Sequence, residues 1–343
     1  MQVLIYSLVF GMLVLGGYIL FLGKAFFIPL VISIVVWYLI NTLAGEYAKL
    51  KAGKLRIPRW AALSLSLITM AGVVWFFVVL VNTNTSAVKE AAPLYQVKLK
   101  SMIKSTLSKL PLTETPSIEK LFESLDVGTL FSSVAGMVTT VAGSAGMIVI
   151  YVLLLMLEAH TFDSKLQVLV PDKSRYDDIR SVMNNIDQDI KTYIKIKSVI
   201  SLLTGVFTYV VLAIMGVDFA VFWSLLTFLL TYIPTIGAIT SVVFPAVLTL
   251  VQFDTLVPFA LVTSLLTGVH LVIGNVLEPK MMGKSLNLSP LVIIVSLTIW
   301  GHIWGITGML LCVPIMVITS IVMSKFPSTR PIVIMLSEDG KIK

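Results

Sequence analysis

Residues 219–251 read FAVFWSLLTFLLTYIPTIGAITSVVFPAVLTLV. The run is long and apolar enough to cross a bilayer, yet Tyr-Ile-Pro-Thr-Ile-Gly at 232–237 interrupts its middle. Inside a membrane each unpaired backbone N–H or C=O costs several kcal/mol, so an interruption at that depth is expected only where protein buries it or a cavity hydrates it. A second apolar run, 290–323, is broken by Trp-Gly-His-Ile-Trp-Gly-Ile-Thr-Gly at 300–308. Similar runs follow the two breaks: IGAITSVVFP (236–245) and ITGMLLCVP (306–314). The competing reading is a proline kink, at Pro234 or Pro245, in an ordinary spanning helix.

Working outward, the hexapeptide SLLTGV occurs at 201–206 and again at 264–269. Each copy lies in a helix that leads into one of the broken runs. By the placement of the basic loops, the first broken run begins and ends outside and the second begins and ends inside. Helix plus hairpin, twice, in opposite orientation is the pattern of inverted repeats, in which broken helices meet near the midplane and build a transport site. The spacing from hexapeptide to break differs between the halves, so the layout carries this inference and the literal repeat does not.

The rest of the chain agrees with a membrane fold. Of 343 residues, 57% are hydrophobic and 13% charged, with a mean hydropathy of +0.98. A soluble domain carries about a quarter charged residues. The reading is an all-α, polytopic helical membrane protein with two broken, re-entrant hairpins in inverted arrangement. The net charge of +7 sits mainly in short segments between apolar runs, which marks topology and not nucleic acid. A single cysteine, Cys312, excludes an intramolecular disulfide and any multi-cysteine metal site. The N-terminal apolar stretch has no basic residue before it and no small-residue cleavage site near its end, so a retained first helix is expected.

Residues 1–81 hold three scaffold spans, with Lys49, Lys51, Lys54, Arg56 and Arg59 in a cytoplasmic loop. Residues 82–130 form an extracytoplasmic polar island. In it Tyr95, Leu99, Met102, Thr106 and Leu110 are spaced as an amphipathic helix. A fourth span, 131–160, carries Gly136, Gly143 and Gly146, small residues that permit close helix contact. Residues 161–197 are a cytoplasmic amphipathic helix with Tyr176, Ile179, Met183, Ile186, Ile190 and Tyr193 on an a/d seam. The transport core occupies 198–325, and 326–343 is a cytoplasmic tail. Both termini are expected in the cytoplasm.

Two polar stripes cross this core. Lys197, Ser201, Thr204 and Thr208 share one helix face. Thr263, Thr267, His270, Gly274 and Glu278 share another, with Asn275 beside them. They either line a hydrophilic path for a small polyhydroxylated solute or bond back to their own helices. Glu278 is the candidate coupling carboxylate, since few ionisable groups lie this close to the membrane. No phosphate-binding loop, zinc-protease, serine-hydrolase or Cys/His metal motif occurs. Neither ATP-driven transport by this chain alone nor enzymatic chemistry is expected, and no cofactor.

The runs TYIKIKSVISLLTG (192–205), GVDFAVFWSLLTFLLTYIPTIGAI (216–239) and IGNVLEPKMMGKSLNLSPLVIIVSLTIWGHIWGITGMLLCVPI (273–315) resemble the autoinducer-2 exporter family of bacterial inner-membrane proteins. Its Ile-Pro-x-Ile-Gly motif falls on Ile233, Pro234, Ile236 and Gly237. The Gly-Asn…Glu-Pro-x-x-x-Gly motif falls on Gly274, Asn275, Glu278, Pro279 and Gly283, and the closing Gly-x-x-Gly…Pro on Gly305, Gly308 and Pro314. The resemblance implies a secondary transporter assembled as a homo-oligomer, a pentamer, working on autoinducer-2 or as a sodium/proton antiporter.

The candidate solute-binding set is Thr204, Thr208, Tyr232, Pro234, Thr235 and Gly237 in the first half, joined by Thr267, His270, Asn275 and Trp304. Hinge or packing roles fall to Gly205, Gly274, Pro279, Gly283, Gly301, Gly305, Gly308 and Pro314. Binding is expected between the two hairpins, with a hairpin bundle moving against spans 1–4. No Arg cluster points into the membrane, which favours an uncharged solute over an anion. The alternatives are a sodium or potassium/proton antiporter using Glu278 and an oligomeric membrane scaffold. The partners expected are the lipid bilayer, a small polar solute and copies of the chain.

Overall fold

A chain in a bilayer must satisfy its peptide groups within itself, and helix does so segment by segment. A computed structural model describes residues 2–49, 51–52, 55–80, 83, 136, 139–140, 143–233, 236–253, 255–282 and 288–340. Its helices are α1 (Gln2–Leu22), α2 (Lys24–Lys49), α3 (Arg59–Leu80), α4 (Ala145–Leu169), α5 (Lys173–Ile214), α6 (Ala220–Leu230) and α7 (Ile236–Gln252). They continue with α8 (Leu256–Val272), α9 (Glu278–Met282), α10 (Pro290–Ser324) and α11 (Arg330–Leu336). Among the described residues the one strand pair is β1 (Lys51–Ala52) with β2 (Leu55–Arg56), antiparallel in the basic loop, Lys51 opposite Arg56.

Six helices among the described residues are long and apolar enough to cross a membrane: α2, α3, α4, α5, the stretch Leu256–Met281 and α10. The apolar side chains of α3, Ile68 and Trp75 among them, stand exposed, as a lipid-facing helix requires. Apart from Thr83, the amphipathic island expected over 82–130 lies outside the described residues.

Contacts divide the chain into two units. The first comprises Met1–Ala71, Gly143–Lys197 and Met282–Lys343; the second comprises Gly72–Ala142 and Ser198–Met281. In the first, α2 packs along α4. Ser33, fully buried, donates to the Pro29 carbonyl at 2.5 Å and approaches the Ile148 carbonyl at 3.3 Å, and the Phe26 and Tyr151 rings meet edge-on at 5.8 Å. Gly143 and Gly146 have no neighbour among the described residues where a Cβ would stand.

The segment 161–197 does not form a helix of its own. Residues 161–169 extend α4, Pro171 separates the two helices, and α5 then runs unbroken for 42 residues. The cause is local: between Pro171 and Gly205 the chain has neither glycine nor proline. Asp172 caps the start, its carboxylate accepting from the Ser174 amide at 3.0 Å. The a/d seam is half-buried as far as Ile186 and buried at Ile190 and Tyr193. Ion pairs tie this stretch to neighbours within the first unit: Arg180 to Asp163 on α4 (2.6 Å), Lys195 to Glu46 on α2, and Asp189 to Lys325 after α10 (3.5 Å). Exposed pairs of this kind are each worth about 1 kcal/mol or less.

In the second unit α5 ends at Ile214 and is capped by Gly216, with φ +66°. The Val217 amide reaches back to the Leu212 carbonyl at 2.9 Å and the Gly216 amide to Ala213 at 3.2 Å, which closes the helix with its last carbonyls satisfied. Leu212 and Val217, brought together by this cap, join Phe222, Trp223, Leu226, Leu248, Val262 and Leu266 in the core of the unit. Gln252 at the end of α7 clips the same turn. Its Nε2 donates to the Gly216 carbonyl at 2.7 Å, and its Oε1 accepts from the Asp218 amide at 2.9 Å.

Candidate functional site

Both interrupted runs are interrupted in the structure, and both fold back sharply. In the second unit α6 ends at Leu230 and α7 starts at Ile236. Gly237 lies so close to α6 that a Cβ there would stand 2.6 Å from the Leu230 carbonyl carbon and overlap its oxygen. In a continuous helix seven residues span about 10 Å, so this approach requires the chain to turn back. In the first unit Gly305 interrupts α10 with φ 63° and ψ −144°. There Gly308 presses on the Trp300 carbonyl, with a Cβ 2.7 Å from its carbon. The turn needs residues without a Cβ. Pro245 and Pro314 lie inside helices, several residues beyond each break. The reversals therefore sit between Leu230 and Ile236 and at Gly305.

The candidate residues fall into both units. Around the first break, Tyr232 is half-buried and its hydroxyl lies 2.9 Å from that of Ser198 at the foot of the α5 stripe. Pro234 and Thr235 lie outside the described residues. Thr204 is buried, but its hydroxyl donates to the Ile200 carbonyl at 2.8 Å and is thereby occupied. Thr208 and Ser201, equally buried, have no hydrogen-bond partner among the described residues. Gly205, between them, packs where a Cβ would stand 3.1 Å from the Ser224 carbonyl oxygen and 3.2 Å from the Phe228 Cβ. Substituting it would push α5 off α6.

On α8 the polar stripe is less uniform. Thr263 donates to the Phe259 carbonyl at 2.6 Å, and Thr267 is exposed. His270 is half-buried, and its Nε2 is enclosed with no partner among the described residues. The helix then widens into a π turn at Ile273–Leu277, where the Glu278 amide bonds to the Ile273 carbonyl five residues back. Pro279 accounts for the location: it has no N–H, and in a regular helix its ring would clash with the Asn275 carbonyl. π turns occur often at functional sites. Gly274 lies in the turn with open space around it, Asn275 is exposed in it, and Glu278 emerges half-buried from its end. Gly283 lies outside the described residues.

In the first unit Trp304 is 6% exposed, and its indole N–H donates to the Leu20 carbonyl on α1 at 3.0 Å. Its ring lies 4.8 Å from Trp300, and Gly301 abuts the Met309 side chain across the turn. Trp304 thus pins α1 to the turn. Trp304→Phe is expected to cost about 1 kcal/mol and to expose α1 to limited proteolysis before the rest of the chain unfolds.

The residues that sequence reasoning passed over are Thr227 on α6 and Ser241 on α7. Both are buried, and neither hydroxyl has a partner among the described residues. Thr227 falls on a stripe with Ser224 and Thr231 at three- and four-residue spacing, and Ser241 follows Thr240 in an apolar run. Among the described residues no cluster of three or more His, Cys, Asp or Glu side chains is placed to hold a metal ion.

The profile of the AI-2E family transporter matches residues 8–328. A protein of Haemophilus influenzae named "Putative transport protein" is 32% identical over 295 residues, covering 82% of this chain and 83% of its own. The AI-2 transport protein TqsA of Escherichia coli is 28% identical over 321 residues, covering 92% of this chain and 90% of its own.

Proposed function

Because the chain belongs to the AI-2E transporter family, we propose that it is a secondary transporter exporting a small, uncharged polar signal of the autoinducer-2 type across the bacterial inner membrane. The observation that carries this reading is the pair of turned-back apolar segments, each closed by a glycine against a carbonyl. Backbone of that kind at membrane depth lines a cavity or is buried beside one. In this reading the segments are re-entrant hairpins in inverted arrangement, both termini are cytoplasmic, and the unit of function is a homo-oligomer of five copies. Gly143, just before α4, and Gly146 on it, both uncovered among the described residues, suit a helix contact between copies. The name of TqsA supports autoinducer-2 as the solute class.

Purified protein in sealed vesicles with an imposed proton gradient tests the reading. Labelled autoinducer-2 is expected to accumulate. Tyr232→Phe, which removes the hydroxyl facing Ser198, is expected to slow uptake roughly 3- to 10-fold, the equivalent of one hydrogen bond. Absence of any flux in the wild type would overturn the proposal.

A second reading, a cation/proton antiporter, is favoured by one observation: the only carboxylate flanking the π turn, Glu278, emerges directly from it. It requires that added sodium or potassium change the internal pH and that Glu278→Gln abolish that change.

A further inference from the structure

We propose that the hydroxyls of Ser201, Thr208, Thr227 and Ser241 form a solute site wholly within the second unit, built for an uncharged molecule bearing several hydroxyl groups. All four residues are 2% exposed or less, and all four oxygens lack a hydrogen-bond partner among the described residues. Their neighbours behave differently. Thr204, Ser224 and Thr231 each donate to the carbonyl four residues back, and Thr249 to the one three residues back. That local bond is available to any serine or threonine in a helix. Four buried hydroxyls that forgo it in one unit mark a place where something else completes them, since a buried polar group left unpaired is costly.

Two close approaches to α6, by Gly205 and by Gly237, relate the four in sequence. Ser201 and Thr208 stand four residues before and three residues after Gly205, so they share the α5 face that packs on Ser224 and Phe228. Thr227 lies one turn before Leu230, and Ser241 one turn after Gly237, the two residues at which α6 and α7 cross. The apolar cluster around Trp223 and Leu212 extends to Leu226, with Leu230 and Val242 packed against it, so the hydroxyls of Thr227 and Ser241 border that core.

Charge defines the ligand class. Residues 198–217 and 219–253 contain no Asp, Glu, Lys or Arg. The nearest charge on this face, the buried Lys197 ammonium one turn before Ser201, is already engaged, so an ionic ligand would enter without a free countercharge, at a cost a buried site of this kind does not meet. Hydroxyls both donate and accept, so a neutral polyol matches them group for group. This inference rests on the transport reading for its biological meaning, but the site is testable by itself.

The test is equilibrium binding of D-ribose and erythritol to the purified full-length chain, with ribonate as an anionic control. Saturable binding of the two neutral polyols is expected, with none for ribonate. Thr208→Val and Thr227→Val should each weaken binding about tenfold without lowering the thermal midpoint, because no internal bond is lost. Thr208→Ser should retain binding. The site is overturned by any of three results: no saturable polyol binding to the wild type; equal binding of ribonate; or variants that bind normally, which would leave only hydration at these hydroxyls. Normal binding with no vesicle flux would instead overturn the transport reading and leave the site standing. Normal flux in both valine variants would do the reverse.

Discussion

Gly308→Ala and Gly237→Ala should each leave little or no folded protein. A methyl at either position meets backbone: the Trp300 carbonyl for Gly308 and the Leu230 carbonyl for Gly237. A flexible side chain can swing aside, but a carbonyl moves only if the turn reopens. Overpacking against a core already costs about 1–3 kcal/mol, and here two helix arms must separate, so a loss above ~3 kcal/mol is expected. Gly268→Ala supplies the control. It meets nothing within 4 Å in a helix interior, where alanine is the better helix former by about 1 kcal/mol. Thermal midpoints and monodisperse yield in detergent provide the comparison. Equal behaviour of Gly268→Ala and Gly308→Ala would remove the case for a close crossing at 300–308.

Trp223→Ala is the second large effect. The side chain is 1% exposed, stacked on Phe244 with centroids 6.1 Å apart, and edge-on to Phe222 at 5.4 Å. Truncating a buried tryptophan costs roughly 3–5 kcal/mol through lost contacts and the cavity left behind. The loss is expected to appear as a lowered unfolding midpoint, with Trp223→Phe recovering more than half of it. An unchanged midpoint for Trp223→Ala would mean that the cluster around Leu212, Val262 and Leu266 does not hold the second unit together.

Much of this architecture could be read from the residues. Pro234 with Gly237, and Gly305 with Gly308, announce the two interruptions because those residue types cannot continue a helix without penalty. The structure adds that glycine, not proline, makes each close approach. The island at 161–197 misled because its Asp and Lys residues read as a separate segment. Helix continuity depends on the absence of breakers, and Ser198 begins no new element. The stripe Lys197, Ser201, Thr204 and Thr208 was visible by spacing. Spacing does not reveal which hydroxyl bonds to its own helix, because that is a rotamer choice set by packing. The link from Trp304 to Leu20 joins residues 284 apart in sequence and leaves no local trace. Thr227 and Ser241 escape notice for a related reason: among the neighbouring hydroxyls Ser224, Thr231 and Thr240, only packing separates those that bond to their own helix from those that do not.

The π turn at Ile273–Leu277 bears on how this chain can vary. A turn that holds one extra residue sets everything beyond it back by about 100° around the helix axis. Eight residues of regular helix would leave Glu278 about 80° around the axis from His270, whereas the setback brings it to within about 20° of that bearing. Its heading is thus written in the length of the chain and not in its composition. Loss of one residue within 273–277 restores a regular helix and keeps Glu278 on the His270 side, whereas straightening the turn with every residue kept swings it off by about 100°.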